Sequence, residues 1–173
     1  MIKASTYGTE FGIRTATEAD AEAIIAILEG IASEQIHTAI DKPWSAERQR
    51  IYLMSQTPRE TIHLAETVRG AAIGYQTLDL WAPTLNSMAH AGQLGTFLRP
   101  EWRRLGIGEA LFESTLEFAR KHDFLKFVIQ VRASNAAALS FYERMGFCAC
   151  GRLSRQVRIG LQEDDEIIME YFL

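Results

Sequence analysis

The sequence predicts an α/β domain: a mixed, mostly antiparallel sheet of six or seven strands with helices on both faces. Three observations carry this. Residues 89–98 read as a strand, the segment after Gly106 as an amphipathic helix, and Phe127 to Val131 as a short apolar strand. A strand, a helix and a strand in that order form a crossover unit, so these two strands lie parallel, and the apolar one sits at the sheet centre. Upstream, Thr61 to Val68 and Ala71 to Leu80 are strand-like runs joined by Arg69-Gly70, a tight hairpin turn. The parallel pair is thus the fourth and fifth of the strands, and the remainder pair antiparallel.

Taken in order, residues 1–10 read as a flexible lead or a short edge strand. Phe11 to Thr15 is a first strand. Thr17 and Asp20 form a capping pair, and Ala21, Ile24, Ile25, Leu28 and Ile31 recur at helical spacing to about Ser33. Glu34 to Trp44 is a loop ending beside Pro43. Ser45 caps a second helix reaching Ser55, with Ile51 and Leu53 or Met54 on its buried side. Gly74 inside its strand marks a bulge. After the loop from Trp81 to Met88 and the fourth strand, Ile107, Leu111, Thr115, Phe118 and Ala119 mark the buried stripe of the next helix. Asn135 to Met145 is the last helix, stopped by Gly146. Phe147 to Ile159 and Ile167 to Phe172 close the sheet, with Gly160 to Glu166 as the loop between them.

The 173 residues form one domain, 1–173, with no linker, repeat or low-complexity tract. A hydrophobic fraction of 47% supplies a sizeable core. The net charge of −4 argues against non-specific nucleic-acid binding, which needs a basic field. It leaves room for an anionic ligand at Arg99, Arg103 and Arg104, which cluster locally. No apolar run is long enough for a membrane span, and the N-terminus lacks the order of a secretory signal, so the expectation is a cytoplasmic protein. Cys148 and Cys150, two apart on a strand, are poorly placed for a disulfide. The four histidines show no metal-ligand spacing, so no metal site is expected.

The run Arg103-Arg104-Leu105-Gly106-Ile107-Gly108 carries the chemistry. Its glycines let backbone approach a ligand without a Cβ in the way. The helix behind it presents unpaired N–H groups and a partial positive charge, a ready site for phosphate. Downstream lie Asn135, Tyr142, Gly146 and Phe147. In these two blocks the chain resembles the GNAT family of acetyl-CoA-dependent N-acetyltransferases. The family signature, Arg or Gln, two residues, Gly, one residue, then Gly or Ala, matches Arg103, Gly106 and Gly108. The specific likeness covers about residues 92–147.

The resemblance implies acetyl-CoA as cosubstrate. Backbone from Arg104 through Leu105, Gly106 and Ile107 to Gly108 would cradle its pyrophosphate, with charge from Arg103 or Arg104. Phe97, Leu98 and Arg99 would line its pantetheine arm in the manner of an added strand. Tyr142 would protonate the departing thiolate, or simply pack its ring in the core. Asn135 would cap a helix, bind pantetheine, or both. The backbone N–H of Leu98 is the candidate donor to the oxyanion. An alkyl amine is neutral at pH 7 roughly once in a few thousand molecules, so a proton acceptor is needed.

Here the chain departs from the family. Many members carry a glutamate on the fourth strand ten residues before the signature arginine; this chain has Gln93. An amide is no base near neutral pH, so Gln93 orients water or amine, or is an ordinary strand residue. Glu66, His63 and His90 are the substitutes, with a relay of waters as the alternative. Glu34 to Trp44 and the acidic run Glu163-Asp164-Asp165-Glu166 would wall the acceptor site, the latter drawing in a cation or forming a solvated turn. The resulting expectation is an acetyltransferase acting on a small amine (an amino acid, a polyamine-like molecule or an amine-bearing toxin), with a homodimer as a candidate assembly. A protein N-terminal acetyltransferase and a catalytically silent acyl-CoA sensor are the competing readings.

Overall fold

The computed structural model describes residues 2–4 and 10–173, with side chains from residue 10 onward. The remaining part of the 1–10 lead lies outside the described residues. Eight strands form one sheet: β1 (Ile2–Ala4), β2 (Glu10–Thr15), β3 (Thr61–Thr67), β4 (Ala72–Leu80), β5 (Ala91–Leu98), β6 (Lys126–Arg132), β7 (Cys148–Ile159) and β8 (Gln162–Phe172). Their order across the sheet is β1-β2-β3-β4-β5-β6-β8-β7. Among the described residues only β5 and β6, the fourth and fifth strands of the sequence reading, run parallel. The count exceeds seven because Ile2–Ala4 adds at the edge of β2.

Four helices cover the two faces: α1 (Ala21–Ser33), α2 (Ala46–Ser55), α3 (Ile107–Lys121) and α4 (Ala136–Arg144). Alternation along β3 assigns them. Ile62 and Leu64 pack with Ile24, Ile27 and Ile31 of α1 and Leu53 of α2. Ala65, one residue out of phase, packs with Ile107, Ala110 and Leu111 of α3. A bulge between Ala65 and Glu66 inserts Ile73 as the extra residue of β4, so Ile73 joins the α3 side while Tyr75 joins the α1 side. The expected irregularity at Gly74 is therefore present, and its cause is close approach. A Cβ there would lie 2.2 Å from the Leu98 side chain and 2.8 Å from the Phe97 carbonyl oxygen.

On the far face Phe112, Phe127, Tyr142, Phe147 and Met169 form one cluster that seats α3 and α4. Each such side chain contributes about 1.5–3 kcal/mol by burial, against at most ~0.7 kcal/mol of intrinsic propensity per ordinary residue, so packing rather than propensity holds these helices.

Two sequence expectations change. In α2, Ile51 and Met54 are exposed, and the buried residues are Leu53 and Gln49. The helix is weakly amphipathic, so its packed side follows its contact with α1 rather than its own pattern. The expected loop from Gly160 to Glu166 shrinks to the two-residue turn Gly160-Leu161, with Gly160 at φ +61°. The acidic run lies within β8, because cations on neighbouring strands neutralise most of it: Arg158 meets Glu163, Arg132 meets Asp164, and Arg152 meets Asp165.

Candidate active site

β4 pairs with β5 as far as Leu98, but β6 pairs with β5 at only three positions, the last being Gln93 with Val128. Beyond that point the parallel strands part, while β6 continues along β8 to Arg132. The wedge leaves one edge of β5 without a strand partner. The Arg99 N–H bonds Ile73 O on β4, so by strand alternation the polar groups of Leu98 and Thr96 face the gap. Arg103 Nε donates to Leu98 O at 3.2 Å, which leaves the Leu98 N–H directed into the wedge.

At the wide end sits the glycine loop. Gly106 caps α3 at φ +83°, a left-handed conformation natural to glycine, and Arg104 is also left-handed at φ +61°. The first intrahelical bond runs from Ala110 N–H to Gly106 O, so the earlier N–H groups of α3 lack helical acceptors. At Gly108 a Cβ would lie 3.2 Å from the Phe141 ring. A cavity of about 410 Å³ runs from this loop through the gap, lined by Arg104, Gly106, Gly108, Leu98, Thr96, Asn135 and Tyr142, and by Ile31 and His37 from the α1 side. The backbone of Leu105 and Ile107 belongs to the loop, but their side chains join the apolar cluster under α3.

The two arginines separate in role. The Arg103 guanidinium makes two bonds to Glu34, of 2.9 and 2.5 Å. That contact holds the Glu34 carboxyl below the usual carboxylate range and ties the end of α1 to the loop. Arg104 is exposed at the cavity rim with no such partner among the described residues. Arg99 donates through Nε to Ala72 O. The Phe97 ring stacks on Tyr75, on the α1 face.

Tyr142 is buried, its hydroxyl 2.9 Å from Thr96 Oγ1, and Gln76 Nε2 donates to the same oxygen at 2.7 Å. Burial pushes the phenol up to about 12, so at neutral pH its resting form is the protonated phenol. Thr96 and Gln76 are site-supporting residues that sequence reasoning missed; a polar pair at register partners on adjacent strands was the available signal. Asn135 caps α4 by accepting from Ala138 N–H at 3.1 Å, and its Nδ2 donates to His37 O at 3.3 Å. It therefore caps and also fixes the segment after α1 at the cavity wall.

Gln93 lies on the α1 face, opposite Asp79 in register, with Nε2 3.5 Å from Gln130 Oε1. A second cavity of about 250 Å³ opens on this face, walled by Trp44, Tyr52, Tyr75 and Phe97 with Leu28 and Ile40. At its edge the Tyr52 hydroxyl donates to Asp79, whose carboxyl is pushed up by burial.

None of the three substitute bases lines either cavity. Glu66 is held by Arg14 at 2.9 Å, and His90 is exposed just before β5. His63 is buried on the α3 face, its Nδ1 2.9 Å from Thr115 Oγ1, and burial pushes its pKa down to about 4. This value has a stability consequence. Since the folded value lies below the unfolded one near 6.5, the unfolded chain takes up the proton first as pH falls. The contribution is whole above pH 6.5 and declines toward pH 4, by roughly 3 kcal/mol. Urea denaturation of wild type and His63→Gln across this range should show a steeper acid loss in wild type. Parallel curves would refute it.

The sequence profile described as the Acetyltransferase (GNAT) family matches residues 28–147. The chain is 30% identical over 106 residues to the [Ribosomal protein bS18]-alanine N-acetyltransferase of Escherichia coli, covering 61% of this chain and 64% of that protein's length. It is 25% identical over 142 residues, 82% of each chain, to the L-methionine sulfoximine/L-methionine sulfone acetyltransferase of Pseudomonas paraeruginosa. Among solved structures, a GNAT superfamily phosphinothricin acetyltransferase from Sinorhizobium meliloti in complex with AcCoA superposes with a TM-score of 0.86 at 20% identity, covering 94% of this chain and 88% of that one.

Proposed function

This chain belongs to the acetyltransferase (GNAT) family, and from that premise we propose that it moves the acetyl group of acetyl-CoA to the primary amine of a small molecule. The observation that carries the reading is the wedge between β5 and β6, continuous with a glycine loop at one end and with the α1 face at the other. The residues fit the cosubstrate. Gly108 leaves bare backbone where a Cβ would press on the Phe141 ring, Gly106 makes the left-handed turn into α3 at the cavity wall, and the start of α3 offers N–H groups to a pyrophosphate. The open edge at Leu98 and Thr96 matches an extended amide-bearing arm, which pairs as a strand would.

The chain's own groups divide the work. Arg104 supplies charge at the rim, while Arg103, spent on Glu34, braces the loop. The Leu98 N–H donates to the oxygen that gains charge as the amine attacks. Tyr142 gives its proton to the departing sulfur, and Thr96 with Gln76 orients that hydroxyl. The second cavity, at about 250 Å³, has the size and the apolar wall for one side chain of a small acceptor.

The decisive experiment incubates the protein with acetyl-CoA and a panel of amino acids, amino-acid analogues, polyamines and short peptides, with mass detection of the product. Acetylated small amines support the reading; thiol release with no acceptor across the panel refutes it. The relative named for ribosomal-protein alanine gives specific weight to a second reading, transfer to a peptide α-amine. Preference for peptides beginning in Ala over free amino acids would select it.

Gln93 provides a further test. It orients a water or the amine, and the titrating group lies elsewhere. Gln93→Ala should lower turnover while the acidic limb of the pH–rate profile stays in place. Gln93→Glu should retain activity or raise it at lower pH, since a carboxylate can then take the proton. Full activity and a native profile in Gln93→Ala would remove the side chain from the reaction.

A further inference from the structure

Resting on the acetyl transfer proposed above, we propose that Glu166 takes the proton from the acceptor amine, through water held between Gln93 and Gln130. The placement comes from the sheet. Glu166 on β8 is the register partner of Arg132 on β6, and Gln130 lies two residues earlier on the same face. Arg132 Nη1 donates to Gln35 O and Thr38 O in the segment after α1, so this is the α1 face, the one that bears Gln93 and the aromatic cavity. Gln130 links the two sides of the wedge at its apex: 3.5 Å from its Oε1 to Gln93 Nε2, and 3.5 Å from its Nε2 to Glu166 Oε2. These contacts are long for hydrogen bonds, and Gln130 is exposed, so a water can bridge both side chains from the open side.

What singles out Glu166 is its lack of a cation. Glu163 is paired with Arg158, Asp164 with Arg132 and Ser134, and Asp165 with Arg152 and the Arg155 N–H. Among the described residues no Lys, Arg or His pairs with Glu166, although it is only 9% exposed. The groups around it are accounted for. Asp164 on its own strand repels a second negative charge, Arg132 from β6 is spent on Asp164, the Arg152 guanidinium of β7 is spent on Asp165, and the Arg155 guanidinium lies 3.9 Å from Glu163. Beyond them on the α1 side, His37 and Glu34 face each other at 3.2 Å. Burial, and then Asp164, raise the Glu166 carboxyl above the ordinary range, opposite to the lowered values of Asp164 and Asp165. A carboxylate made more basic in this way suits proton abstraction.

The protons balance. Glu166 takes one proton from the ammonium, and the freed lone pair forms the N–C bond as the C–S bond breaks. Tyr142 protonates the sulfur, the second nitrogen proton restores Tyr142, and Glu166 returns its proton to solvent. Neither glutamine carries a proton; both hold the water that does.

The test uses the whole protein with acetyl-CoA and the best amine of the panel: wild type, Glu166→Gln, and the double variant Glu166→Gln with Gln130→Glu. In parallel, ¹³C NMR follows the side-chain carboxyls of the free protein, the Glu166 signal being assigned by its loss in Glu166→Gln. The expected results are a Glu166 titration above the ordinary glutamate value, a fall in kcat/KM of about 100-fold with loss of the acidic limb in Glu166→Gln, and at least tenfold recovery in the double variant. Acetyl-CoA affinity should be unchanged throughout. Native activity with a native limb in Glu166→Gln overturns the inference and leaves the proposed function standing, as does an ordinary or lowered titration in an active wild type. A wild type that acetylates no amine overturns both.

Discussion

Tyr142→Phe is expected to lower kcat by roughly 100-fold or more while acetyl-CoA binds as tightly as before. The substitution keeps a ring that packs against Phe141 and Phe147 in the cluster beneath α4, so folding should survive. It removes one hydroxyl, which sits 2.9 Å from Thr96 Oγ1 at the wall of the wedge. Removing it leaves Thr96 Oγ1 still accepting from Gln76 Nε2. If the hydroxyl supplies the sulfur's proton, its loss appears in the chemical step and not in cosubstrate affinity. Because burial holds the phenol near 12, no limb of the pH–rate profile below pH 9 belongs to it, and Tyr142→Phe should scale the profile without reshaping it. Single-turnover kinetics with calorimetric binding measures both quantities. Near-native kcat would show that Tyr142 is a packing residue.

The sheet was legible in the sequence because its elements are patterned locally. The alternation on either side of Arg69-Gly70 and the stripe from Ile107 to Ala119 each declare an element by themselves. The buried side of α2 was not legible, since Gln49 and Leu53 face inward only because α1 lies there. The glycine loop was legible for a physical reason: a left-handed residue and a missing Cβ leave glycine in the sequence. The proton acceptor was not. The sequence candidates Glu66 and His63 lie on β3, and His90 lies just before β5. Glu166 lies far along the chain, in a run of acids that reads as a solvated turn. Only the cross-strand arginines, which occupy three of the four, distinguish the one left over. The same holds for Arg103: as a motif residue it suggested a phosphate contact, and its partner Glu34 could not be foreseen from a single chain.

Gly106→Asp should weaken acetyl-CoA binding tenfold or more, on the order of 1.4 kcal/mol, and this loss should be electrostatic as well as steric. Gly106 caps α3 at φ +83°, at the wall of the large cavity, where the free N–H groups of the helix converge. A carboxylate there would occupy the place of the pyrophosphate and bring its own charge to the helix end. The left-handed backbone adds a strain of roughly 1–2 kcal/mol for most side chains, least for Asp and Asn. Gly106→Asn is therefore the matched control: it has the same shape and backbone preference, and no charge. Strain lowers the melting temperature of both variants alike, whereas charge separates them in binding. The expected order of affinity is wild type, then Gly106→Asn, then Gly106→Asp, with the gap between the two variants narrowing as salt screens the repulsion. Calorimetric titration of acetyl-CoA at two ionic strengths reads this directly. Unchanged affinity in a folded Gly106→Asp protein would move the pyrophosphate away from the start of α3, and with it the assignment of the wedge as the cosubstrate's path.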